Sequence, residues 1–255
     1  MTTILETGRV HSGPQETVRT DLSVAHRVAE RFGMTDLIYT HFSARDPLDE
    51  DLFYITPYGH LFHEIDHDTL SRIRMADDGM VVEGRLNPAG AVIHEAVYAA
   101  RPDVGAICHT HTRAGVAVSC LKDGLLPISQ FSLRFHGRVG YHDYEGATLV
   151  PGERTRLQES VAGVDVVILR NHGLLTMGRS IREALSRMYF LERACQVQID
   201  ALATGRDLVV PTEEIAAVTR DQYAGFGEED MEERMDLEWA ALCRLAASQG
   251  GYRHA

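Results

Sequence analysis

Ile107-Cys108-His109-Thr110-His111 reads as the end of a buried strand, and the fold is read outward from it. Side chains on a strand alternate faces with period two, so His109 and His111 share one face while Cys108 and Thr110 take the other. Apolar Val104, Ala106 and Ile107 lead into the pair, and Thr112-Arg113-Ala114-Gly115 follows with the pattern of a strand turning into a helix. In α/β folds, strand ends of this kind are where ligands bind. Two imidazoles on one face offer two nitrogen donors to one ion. A catalytic divalent metal takes three protein ligands and keeps a position open, so a third ligand is expected elsewhere.

The third comes from the most apolar strand candidate in the chain, Val164-Asp165-Val166-Val167-Ile168-Leu169-Arg170, which runs into Asn171-His172-Gly173. Two apolar strands ending in histidines are what a site at strand ends requires. Gly173 is expected to permit a backbone turn that a β-carbon would hinder.

Composition narrows the function classes. A chain of 255 residues can bury a sizeable core, and it reads as one domain over residues 14–255 after a loose arm at residues 1–13. Its formal net charge of −12 argues against a nucleic-acid backbone or an anionic membrane as the main partner. Anionic small molecules stay open, because a bound metal and a few arginines reverse the local field. Cys108, Cys120, Cys195 and Cys243 are widely spaced, which signals neither a disulfide framework nor a cysteine zinc site. With no leader-like start and no apolar run of membrane length, the expected location is the cytoplasm.

Along the chain, Val18, Leu22, Ala25, Ala29 and Phe32 recur at helical steps and predict a helix from about Gln15 closed by Gly33. Residues 37–43 and 52–56 read as strands, and residues 71–75 and 80–83 as a hairpin around Asp78-Gly79. A helix is expected from Asn87 through Ala100, with His94 packed inside it, and another over residues 113–121. Residues 125–130 and 138–141 are strand candidates and residues 152–162 a helix. A long helix is expected between Ser180 and Gly205, then a second helical region over residues 213–248, broken near Gly225-Phe226-Gly227, with its acidic run 228–233 facing solvent. His63-Glu64-Ile65-Asp66-His67 matches the His-Glu-x-x-His pattern of zinc proteases. That chemistry needs a helix, and the stretch follows a Pro57-Tyr58-Gly59 turn closely, so it reads as a solvated turn.

Asn87-Pro88-Ala89-Gly90, Ala100-Arg101-Pro102-Asp103-Val104, His109-Thr110-His111, Tyr141-His142-Asp143-Tyr144-Glu145-Gly146 and Arg170-Asn171-His172-Gly173-Leu174-Leu175, in this order, resemble the class II aldolase/adducin family over about residues 16–205. The resemblance implies a three-layer α/β/α fold with a mainly antiparallel central sheet. It also implies one divalent metal on His109, His111 and His172, zinc first with manganese, cobalt or iron as alternatives, and a homotetramer acting on a small molecule. Sugar-phosphate aldolases of this family carry a Pro-Ser-Ser-Glu type stretch where this chain has Pro88-Ala89-Gly90-Ala91, and a Gly-Asn pair where it has Thr40-His41. The phosphate-binding hydroxyls and the general base are therefore gone, as in the adducin-like branch. Replacement bases are Glu64, Tyr141, His142 and Glu145, and Arg134, Arg138 or Arg113 can pair with a carboxylate. The expected activity is a metal-dependent lyase, by retro-aldol cleavage or decarboxylation, on a small non-phosphorylated hydroxy- or oxo-acid. The alternatives are a non-haem metal oxygenase or a non-catalytic adducin-like oligomeric binding protein.

Overall fold

The structure, a computed structural model, describes residues 13–76, 79–146, 152–224 and 228–248. Helix α1 (Pro14–Arg31) opens on a proline, whose fixed φ suits a first helical turn, and buries Leu22, Ala25, Val28 and Ala29 at the expected steps. Gly33 closes it at φ 67°. Strands β1 (His41–Asp46), β2 (Asp49–Ile55), β3 (Ser71–Ala76) and β4 (Gly79–Glu83) pair antiparallel in succession. The tip of the expected β3–β4 turn, residues 77–78, lies outside the described residues, as do residues 1–12 of the expected arm. Helix α2 (Pro88–Ala100) is capped by Asn87, whose side chain accepts from the Ala89 N–H at 3.2 Å.

Strand β5 (Ala106–Thr110) follows, then helices α3 (Arg113–Ser119) and α4 (Gln130–Leu133), strand β6 (Val139–His142), helix α5 (Glu153–Ser160) and strands β7 (Val166–Leu169) and β8 (Gly173–Gly178). Ser180 caps helix α6 (Ile181–Ala203), and helices α7 (Glu213–Ala224) and α8 (Glu228–Ala247) complete the order. The break expected at residues 225–227 lies outside the described residues, as do the side chains of residues 228–231 in the expected acidic face; Glu232 and Glu233 are exposed.

The eight strands form one sheet, in the order β4-β3-β2-β1-β5-β8-β7-β6, antiparallel throughout except for the β6–β7 pair. Alternation sends β5 two ways. Ala106 and Cys108 join Phe42, Leu174 and the buried faces of α1 and α6, while Ile107 joins Phe53, Leu175 and the side chains of α2 and α5. The result is the expected three-layer α/β/α architecture with a mostly antiparallel sheet.

Three local expectations change. Residues 37–40 are not strand, because Leu37 takes a left-handed backbone at φ 47° and β1 begins only at His41. Residues 125–130 contain no strand: Pro127 lacks a ladder donor, and Ser129 accepts from the Ser132 N–H to start α4. Strand β8 was not expected, and it places a turn rather than a chain end beside His172.

Candidate metal centre

The strand order brings one end of β5 beside the start of β1 and the β7–β8 turn, since β5 runs antiparallel to both β1 and β8. His109 sits on the last turn of the β5 ladder, opposite His41 of β1, and points to the face of α2. His111 lies one residue beyond β5, and His172 sits in the turn between β7 and β8. Their rings meet. His109 Nε2 lies 2.8 Å from His111 Nε2, which lies 2.9 Å from His172 Nε2.

Gly173 makes this approach possible, by a different route from the one expected. Its backbone is not left-handed; a β-carbon there would stand 2.3 Å from the Thr110 carbonyl oxygen and 3.2 Å from the His111 ring. The left-handed residue of the turn is Asn171, at φ 56°. Both non-glycine residues with positive φ among those described, Leu37 and Asn171, therefore flank the histidine cluster.

The chemistry of the outer nitrogens fixes what the inner ones offer. His109 Nδ1 contacts the Leu174 carbonyl oxygen at 3.0 Å, and a carbonyl only accepts, so Nδ1 carries the proton. His111 Nδ1 donates in the same way to Asp36 Oδ2 at 3.0 Å. Both Nε2 atoms then present lone pairs to each other at hydrogen-bond distance. Burial holds His109 well below its ordinary pKa, and His172 is lowered to about 4 by burial, then by His111 and His142. Three ring nitrogens within 4.8 Å of one another, two of them on the imidazoles of His109 and His172 whose burial disfavours the charged form, fit a divalent metal bound through nitrogen. Asp36 and the Leu174 carbonyl are the outer partners that orient the His111 and His109 rings, and neither was read from the sequence.

The other anticipated residues are distributed unevenly. Glu64 is exposed, and its Oε2 accepts from the Leu61 N–H at 2.7 Å, closing a single 3₁₀ turn. Glu145 is paired with Arg156, whose guanidinium holds its carboxyl below the usual range. The Tyr141 hydroxyl accepts from the Leu125 N–H at 3.1 Å, and its ring lies 4.1 Å from the Arg170 guanidinium. These three are engaged structurally. His142 differs: Ser160 Oγ donates to the Arg156 carbonyl at 2.8 Å and so accepts from His142 Nδ1–H at 3.0 Å. That leaves His142 Nε2 as a buried lone pair with no hydrogen-bond partner among the described residues. Arg134 is stacked between the rings of Phe190 and Tyr223, and Arg138 lies 3.8 Å from Asp221. Arg113, at the first turn of α3, is exposed and makes no ion pair among the described residues.

The His63/His67 pair is dispersed, as its sequence context predicts. His63 Nδ1 lies 2.8 Å from Glu30, and His67 Nε2 lies 3.4 Å from both Glu16 and Asp68. His94 is buried and hydrogen-bonded between His41 and Ser43. The replacement of Gly-Asn by Thr40-His41 was the available signal for that cluster. No helix among the described residues is long and apolar enough to cross a membrane.

Residues 20–199 match the Class II Aldolase and Adducin N-terminal domain. A Pseudomonas aeruginosa relative, whose name provisionally places it among the class 2 aldolases and states no substrate, is 42% identical over 92% of this chain and 91% of its own. Rat alpha-adducin is 39% identical over 74% of this chain but only 26% of its own length. An aldolase II superfamily protein from Pseudomonas syringae superposes with a TM-score of 0.86 at 44% identity, covering 96% of this chain and 98% of that one. The L-fuculose 1-phosphate aldolase of Glaciozyma antarctica superposes with a TM-score of 0.78 at 26% identity, covering 98% and 97%. Sheet order, histidine cluster and these likenesses agree: the chain belongs to the class II aldolase and adducin N-terminal domain family.

Proposed function

We propose that the chain is a metal-dependent carbon–carbon lyase, acting by retro-aldol cleavage or decarboxylation on a small hydroxy- or oxo-acid without phosphate. The observation that carries this reading is the convergence of the His109, His111 and His172 Nε2 atoms, 2.8 and 2.9 Å apart in succession. A divalent cation held by these residues, zinc first with manganese, cobalt or iron as alternatives, supplies Lewis acidity that lowers the cost of the negative charge left by carbon–carbon cleavage. The surrounding residues do the rest. His142 takes or returns a proton at its free Nε2, with its Nδ1 proton held by Ser160. Arg113 pairs with the substrate carboxylate from the rim. Ala91 is fully buried and can accept no proton where the sugar-phosphate aldolases keep their glutamate, and no serine hydroxyl stands at residues 89–90, which supports a substrate without phosphate. A homotetramer belongs to the same reading.

The test is solvent deuterium exchange into pyruvate, and cleavage across a panel of 2-hydroxy and 2-oxo acids, by protein reconstituted with one zinc per chain. Exchange or cleavage that disappears in His172→Ala is expected. A reconstituted protein inert to the whole panel would overturn the reading. Its likeness to the adducins supports a second reading, an oligomeric binding platform, which a folded chain unable to take up metal would favour. Iron as the native metal, with substrate-dependent oxygen uptake, would favour an oxygenase.

A further inference from the structure

Behind His109, on the same face of the sheet, a file of buried polar groups runs into the site. His41 Nδ1 lies 2.7 Å from His94 Nε2, His94 Nδ1 lies 2.5 Å from Ser43 Oγ, and Ser43 Oγ lies 2.8 Å from the Tyr98 hydroxyl. Each link holds one proton, and the far end sets its direction. Tyr98 is buried, and Ser43 is the acceptor its hydroxyl reaches among the described residues, so the Tyr98 O–H donates to Ser43. Ser43 must then donate to His94 Nδ1. Burial lowers His94 to about 3, so it is neutral, carries its one proton on Nε2 and donates to His41 Nδ1. His41 Nδ1, as the acceptor of that bond, carries no proton, so the His41 ring proton sits on Nε2.

No other described residue hydrogen-bonds that N–H. It faces Gly90: a β-carbon at position 90 would stand 2.6 Å from His41 Nε2 and 2.7 Å from Cδ2. The imidazole thus fills the space that a side chain at position 90 would need. Two departures from the aldolase pattern, His41 and Gly90, are one physical change. The His41 ring also packs 4.8 Å from the ring of His109.

We infer that His41 presents Nε2–H as a fixed hydrogen-bond donor to a carboxylate or carbonyl oxygen of the substrate at the metal centre, with His94, Ser43 and Tyr98 as positioning residues that set its tautomer. The substrate's place rests on the metal-dependent reading above; the tautomer does not. A single neutral N–H suits an oxygen already anchored at the metal, and it offers no charge to a phosphate dianion.

Histidine ¹⁵N shifts of the full-length protein, metal-free and zinc-loaded, read the tautomers directly. Nε2-protonated His41 and His94 are expected, with Tyr98→Phe raising the Nδ1-protonated fraction. In zinc-loaded protein, His41→Leu is expected to weaken oxalate binding by about tenfold or more while keeping one zinc per chain. Tyr98→Phe should weaken it less, and should add nothing in the His41→Leu background. Gly90→Ser, which displaces the ring without altering it, should reproduce the loss. His41 protonated on Nδ1, or unchanged oxalate affinity in both His41→Leu and Gly90→Ser, would overturn the inference. Zinc-loaded wild type that binds no oxalate would contradict both the lyase reading and the substrate role of His41. A chain that takes up no zinc would contradict the lyase reading alone, and the tautomer would still support or overturn the donor.

Discussion

Histidines 63 and 67 lie four residues apart and histidines 109 and 111 two apart, yet only the second pair meets. Residues 62–64 make a single 3₁₀ turn, too short to place positions i and i+4 on one face; His63 on it pairs with Glu30, and His67 beyond it with Glu16 and Asp68. β5 is a central strand, buried along its whole length, and period two forces His109 and His111 onto one side of it. The element that carries a motif decides whether its donors converge.

Breaking the converging region should have the largest effect. His109→Ala, His111→Ala and His172→Ala are each expected to take metal content from near one per chain to near zero in elemental analysis. One step out, Asp36→Asn keeps every ligand but loses the carboxylate that fixes the His111 tautomer, so zinc affinity should fall by about 10- to 100-fold in competition with a chelator. Asp36→Glu should restore part of it.

How much of this was readable follows the same division. The β5 and β7 ends were legible because apolar runs and period two are local properties. Strand β8 was not, since Gly173-Leu174-Leu175-Thr176-Met177-Gly178 owes its place to pairing with β5 and β7 rather than to its own pattern. Asp36 was missed for a related reason: it reaches His111 across seventy-five residues of chain, through a left-handed Leu37 that the sequence reads as strand. Of the four anticipated bases, His142 alone keeps a buried acceptor atom with no hydrogen-bond partner among the described residues; Glu64, Tyr141 and Glu145 have partners that sequence spacing cannot reveal.

Acid should separate the two regions further. Burial lowers His26 from 6.5 to about 4 and His94 from 6.5 to about 3, so below pH 6.5 the unfolded chain binds more protons than the folded one. The contribution of these two histidines to the stability of the metal-free protein is therefore complete above pH 6.5 and is lost as pH falls towards 4 and then 3. Urea titrations across this window should show the midpoint falling with pH, and His26→Gln should flatten the upper part of the decline. The dispersed pair gives the smallest effect. His63→Ala and His67→Ala should leave metal content unchanged and alter unfolding free energy by no more than about 0.5 kcal/mol, because their ion pairs are solvent-exposed.

X-ray absorption at the zinc edge of the reconstituted, full-length protein tests the central claim most directly. Three imidazole nitrogens at about 2.0–2.1 Å with oxygen from solvent completing the shell is the predicted result, the signature of an open site. A shell closed by a fourth protein ligand, or zinc that binds equally well to His172→Ala, would contradict it.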